Sequence, residues 1–112
     1  MTPSQFEAAA LALPAATKVV QWGGARVFKI GERIFAIAGL GGAISLKVTD
    51  LAYEVLVETG QARPAPYLAR AKWVAFDEIE SLDDGEVTDW LKTAHALVAA
   101  RLTRAQRTEL GL

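Results

Sequence analysis

Cysteine is absent from this 112-residue chain. That removes both a disulfide framework and any thiolate metal site, and it fits a reducing compartment. Histidine occurs once, at His95, with no further ligands assembled around it, so no metal centre can be built from the sequence. No uninterrupted apolar run reaches bilayer-spanning length. The first residues lack the basic start and long apolar core of a secretory leader, so a cytoplasmic address is expected, with no membrane attachment. A basic excess is missing too. The formal net charge is −1, whereas a free-standing nucleic-acid binder usually carries a clear surplus of lysine and arginine. Any anion-binding surface must therefore be local. Internal repeats and low-complexity linkers are also lacking. What remains is ordinary globular usage, 52% apolar and 22% charged, over a length that suits one domain, residues 1–112.

The stretch from Arg26 to Val48 organises the rest. Gly31-Glu32 is a two-residue turn suited to a tight hairpin. With Ile30 and Arg33 flanking it, the expected cross-strand pairs are Lys29 with Ile34, Phe28 with Phe35, Val27 with Ala36 and Arg26 with Ile37. This register predicts a core face of Phe28, Ile30, Phe35 and Ile37. It leaves a thinner, partly basic face of Val27, Lys29, Ile34 and Ala36. After the permissive Gly39–Gly42 loop, Ile44, Leu46 and Val48 alternate with Ser45 and Lys47 at period two. Upstream, Thr17–Trp22 reads as a first strand, turned back by Gly23-Gly24.

Helix signals flank this meander. Thr2, Pro3 and Gln5 form a helix start with capping-box spacing, and Pro14 stops that helix. Thr49-Asp50 caps a second helix ending at Gly60, with an expected buried stripe of Leu51, Ala52, Val55, Leu56 and Thr59. Pro64 and Pro66 hold the next segment extended, with room for a short strand, and Tyr67 and Leu68 are expected to anchor it. Ala71–Phe76 reads as a fifth long strand. Asp83 and Glu86 have capping spacing before a helix from about Glu86 to Leu102, whose stripe is Val87, Trp90, Leu91, Ala94, Leu97, Val98 and Leu102. A short helical or frayed tail follows. The fold class is α+β, two-layered, an antiparallel meander sheet packed with helices in the order α-β-β-β-β-α-β-α. These residues specify an architecture and not an activity.

The pieces Ala12-Leu13-Pro14, Trp22-Gly23, Phe28-Lys29-Ile30, Ile34-Phe35-Ala36, Ile44-Ser45-Leu46-Lys47-Val48, Pro64-Ala65-Pro66-Tyr67-Leu68 and Lys72-Trp73-Val74 occur in one order along nearly the whole chain. In this the sequence resembles the MmcQ/YjbR family of small bacterial proteins. It departs from the family at Ala94-His95, where Ser-Tyr is frequent. The resemblance implies a double-wing, DNA-binding-like protein that is not an enzyme and needs no cofactor. Its fold is also similar to type III secretion chaperones and to frataxin, so a protein-interaction module, using the sheet face or the Pro64–Leu68 loop, is the alternative. Fold analogy alone is a weak warrant for function.

Charge placement supplies the physical argument. Lys18, Arg26, Lys29, Arg33, Lys47, Arg63, Arg70 and Lys72 fall on or beside the expected sheet, while the acids gather in the later helices and in the loop from Asp77 to Glu86. Lys29, Arg33, Lys47, Arg70 and Lys72 are the candidate phosphate contacts. The alternative is a solvated face whose charges keep the sheet soluble and its edges unpaired. Trp22, Tyr67 and Trp73 are either stacking surfaces or packing residues, and Trp90 is expected in the core. The Asp77–Asp84 acids read as a polar loop with a helix cap. Gly39–Gly42 precedes no helix, so it lacks the dipole end of a phosphate loop. Ser45 has neither a base nor a nucleophile-elbow context, so no catalytic residue is assigned.

Overall fold

The computed structural model describes residues 1–66 and 68–112; the anchoring and stacking roles considered for Tyr67 lie outside the described residues. The chain runs α1 (Pro3–Leu11), β1 (Ala16–Gln21), β2 (Ala25–Ile30), β3 (Arg33–Ala38), β4 (Ile44–Lys47), α2 (Asp50–Glu58), β5 (Arg63–Pro64), β6 (Trp73–Phe76), α3 (Asp84–Ala99) and α4 (Arg104–Leu110). The six strands form one antiparallel sheet in the spatial order β1-β2-β3-β4-β6-β5. The α+β order is the expected one, with two additions. The proline segment contributes the two-residue strand β5, and the tail is a true helix closed by a Thr103–Gln106 capping box.

The helix starts follow from local chemistry. Thr2 accepts from the Gln5 amide while the Gln5 side chain accepts from the Thr2 amide, with Pro3 in the first turn. Thr49 accepts from the Ala52 amide, and Asp83 from the Glu86 amide. The Asp83 cap places the start of α3 at Asp84, before the expected Glu86, and the helix ends at Ala99 rather than Leu102.

The hairpin register is correct only beside its turn. Ile30 pairs with Arg33 and Lys29 with Ile34, but Phe28 lies opposite Ala36, Val27 opposite Ile37 and Arg26 opposite Ala38. Phe35 is the extra residue of a β-bulge. A bulge breaks the strict alternation of a strand, so Phe35 and Ala36 both enter the core and Ile37 turns to the opposite side. The expected core face is corrected accordingly: Ala36 replaces Ile37. The expected stripe of α2 is corrected as well. Leu56 is buried, with Ala52, Tyr53 and Val57 packed on the core, whereas Leu51 and Val55 are 71% and 46% exposed. Trp90 is half-buried and stacks on Phe76 with ring centroids 4.8 Å apart.

One layer of the sheet presents Phe28, Ile30, Phe35, Ala36, Ala38, Ile44, Leu46, Val74 and Phe76 to the helices. Phe6 of α1 meets Phe28 edge-on, and α3 contributes Val87, Leu91, Ala94 and Val98. His95 belongs to this interface. Its Nε2–H donates to the Pro14 carbonyl at 2.7 Å, and Phe35 lies edge-on at 5.4 Å between ring centroids. No partner was offered by its helical neighbours; the one it uses is 81 residues away.

Candidate functional site

Among the described residues the opposite layer carries no α-helix. One row crosses it through all six strands: Val19, Val27, Ile37, Ser45, Ala75, Arg63. The adjacent row runs Thr17, Lys29, Ile34 over the first three strands and Lys47, Trp73 over β4 and β6. The face is unevenly covered. Trp73, Ala75 and Ala65 are buried in a small second cluster with Ile34, Ile37 and Leu68. The Ala65 amide ties this cover down by donating to the Trp73 carbonyl at 3.1 Å. At the other end Val19 is 41% exposed. Trp73 is therefore packing and offers no free ring, while Trp22, on the turn between β1 and β2, is 65% exposed.

No strand contains an acidic residue, while the six strands together hold Lys18, Arg26, Lys29, Arg33, Lys47 and Arg63. Three of these cations are nonetheless neutralised. Lys18 and Arg26 point to the helical side, where Glu7 Oε1 lies 3.1 and 3.5 Å from them. Arg63 pairs with Asp77 at 2.9 Å. The expected separation of sign thus holds along the strands and fails at these pairs.

The five candidate residues occupy different settings. Lys29 is half-buried on the helix-free face. Arg33 is exposed at the first position of β3. Lys47, at the end of β4, is half-buried on the same face as Lys29, and its ammonium donates to the Ala71 carbonyl. Arg70 is exposed in the single 3₁₀ turn Ala69–Ala71. Lys72 has a left-handed backbone, φ 61°, and its ammonium lies 4.8 Å from the centre of the Tyr53 ring of α2, so it leans toward the helical layer. Among the described residues none of the five forms an ion pair. Arg33 and Lys47 line one shallow notch, floored by Ile34 and Trp73, together with Arg101 from just beyond α3. Sequence reasoning missed Arg101, because it fell within the expected Glu86–Leu102 helix, which was assigned to the acidic layer. The available signal was its i, i+3 spacing from the core residue Val98, which puts both on one side of that turn.

Burial, then the Arg101 guanidinium, lower the Lys47 pKa below the ordinary lysine value, against a smaller opposing pull from Asp50. The sign for stability follows. Between the lowered folded value and the ordinary one, the unfolded chain holds the extra proton, so Lys47 makes stability rise with pH across that window. Arg101→Ala is expected to move the Lys47 titration part of the way back up, read by NMR at its Cε and Nζ. An unmoved midpoint would assign the whole shift to burial.

The fold is shared with a known structure. The Deinococcus radiodurans protein DR2400, which carries a DUF419 domain, superposes with a TM-score of 0.85 at 24% identity, over 99% of this chain and 88% of that one. A likeness at that identity establishes the fold. No curated protein matches the chain. The YjbR family model matches residues 11–97, from the end of α1 through most of α3. On that match, which spans the whole sheet and its flanking loops, the chain belongs to the YjbR family.

Proposed function

We propose that this protein binds DNA through the helix-free face of its sheet, in a binding rather than a catalytic role. The observation that carries the reading is the absence of any acidic residue from the six strands, combined with Lys29 and Lys47 standing on the open face without carboxylate partners among the described residues. Cations without carboxylate partners meet the backbone phosphates of a duplex and release its condensed counterions. Contacts of that kind position a nucleic acid without reading its sequence. The near-neutral net charge is compatible with this, because Glu7 neutralises Lys18 and Arg26 on the helical side, and Asp77 meets only Arg63 at the far edge of the open face.

The test is fluorescence anisotropy with a labelled duplex over a range of salt concentrations. Wild-type affinity should fall steeply with salt, and Lys29→Ala/Lys47→Ala should flatten the log–log slope by roughly 2, about one unit per lost phosphate contact. A double variant whose slope equals the wild-type one would defeat the reading.

A second reading, a protein-interaction module, has its own support. Leu51 and Val55 lie one turn apart on α2, both exposed, flanked by exposed Glu54 and Glu58. Failure of the wild-type chain to bind duplex even at low salt would favour this reading.

A further inference from the structure

We infer that the notch at the end of the open face receives the terminal phosphate monoester of a nucleic-acid strand; the inference rests on the DNA-binding reading. Three cations from three separate elements line it: Arg33 at the start of β3, Lys47 at the end of β4 and Arg101 beyond α3. Glu32 is the one acid at its rim. Among the described residues none of the three cations has a carboxylate within ion-pair distance. Lys47 uses one of its three N–H donors on the Ala71 carbonyl, and neither arginine has a side-chain hydrogen bond among the described residues. Gathering like charges costs free energy that a bound anion recovers; beside the dominant effect of burial, the Arg101 guanidinium lowers the Lys47 pKa in the direction that repulsion requires.

Charge matching selects the kind of anion. An interior phosphodiester carries a single negative charge and is met by one cation at a time along the backbone. A terminal monoester carries about −1.5 to −2 at neutral pH and offers three strong acceptor oxygens, which suits three converging donors. Arginine forks add bidentate geometry to that match. The surroundings place the rest of the strand. Ile34 lines the notch and pairs across the ladder with Lys29, so Lys29 stands one strand further along the open face, where the next phosphate of the chain would pass. In this arrangement Lys29 serves any nucleic acid, and Arg101 serves only an end.

The experiment compares one internally labelled short duplex prepared with 5′-phosphate, 3′-phosphate or hydroxyl ends, again by anisotropy at low salt. We expect one phosphorylated form to bind about tenfold more tightly than the hydroxyl-ended form, the scale of an added charge-assisted contact. Arg101→Ala should abolish that preference and leave hydroxyl-ended binding within about twofold of wild type, because Arg101 is exposed and its loss leaves the core intact. Lys29→Ala should weaken all three forms alike. Equal affinity for phosphorylated and hydroxyl ends would overturn the inference while leaving DNA binding in place. Retention of the preference in Arg101→Ala would overturn it too. Absence of binding to every form would instead remove the DNA-binding reading itself, and the inference with it.

Discussion

Phe35→Ala should cost about 3–5 kcal/mol of unfolding free energy, the range for emptying a fully buried aromatic site. Phe35 has no exposed surface and packs edge-on against His95 of α3. It is also the extra residue of the β3 bulge, through which two consecutive side chains of that strand, Phe35 and Ala36, both enter the core. The site cannot easily collapse, since Phe28 and Ala36 on the neighbouring pair are themselves fully buried. Against a total stability on the order of 5–15 kcal/mol for a domain of this kind, such a loss leaves a marginal protein. Urea unfolding measures it as a fall in midpoint at constant m-value. Phe35→Leu should retain most of the stability. A cost below about 1 kcal/mol for the alanine variant would mean that the bulge, and not the ring, is what the core requires.

Trp73→Ala tests the other side of the sheet and carries a comparable expected cost, about 3–5 kcal/mol. Trp73 is only 5% exposed although no α-helix among the described residues covers its face. Its cover is Ala65 and Leu68, held by the Ala65 amide on the Trp73 carbonyl and packed with Ala75 in the second cluster. Removing the indole should therefore have a local signature besides the global one. Hydrogen exchange at the Ala65 amide should accelerate more than exchange at the β2–β3 amides, because Ala65 and Leu68 lose their apolar anchor while the main core keeps Phe28, Ile30 and Leu46. Trp73→Phe should restore protection at Ala65. Uniform acceleration across the whole sheet would contradict the existence of a separate cluster.

Caps and turns were legible because they are local. Thr2, Thr49 and Asp83 each cap the helix expected of them, and Gly31-Glu32 closes the hairpin with its first two pairs in register. How far a face rotates was legible only in part: the α3 stripe is buried at Val87, Leu91, Ala94 and Val98 as expected, whereas the hairpin and α2 faces are shifted. The expected α2 stripe holds at Ala52 and Leu56, but Leu51 and Val55 are exposed and Tyr53 and Val57 pack on the core instead. Both choices satisfy helical periodicity, and the pattern of a short apolar helix does not distinguish them. β5 escaped firm assignment because two residues carry no periodicity; it exists because β6 offers it an edge.

The candidate site shows the same division. That the strands hold cations and no acids is a property of the chain, readable before any folding. Which of those cations remain unpaired is not, since Glu7 meets Lys18 and Arg26 only when α1 lies across β1 and β2. Sequence alone determined the order of elements, their capped beginnings, the hairpin turn and the charge of the strands, because each rests on residues within a few positions of one another. Tertiary structure decided that Phe35 and Ala36 share one layer, that Lys72 leans onto Tyr53 and that Arg33, Lys47 and Arg101 share one notch. Those meetings join residues distant in the chain, and their geometry is set by how the helical layer seats on a bulged sheet.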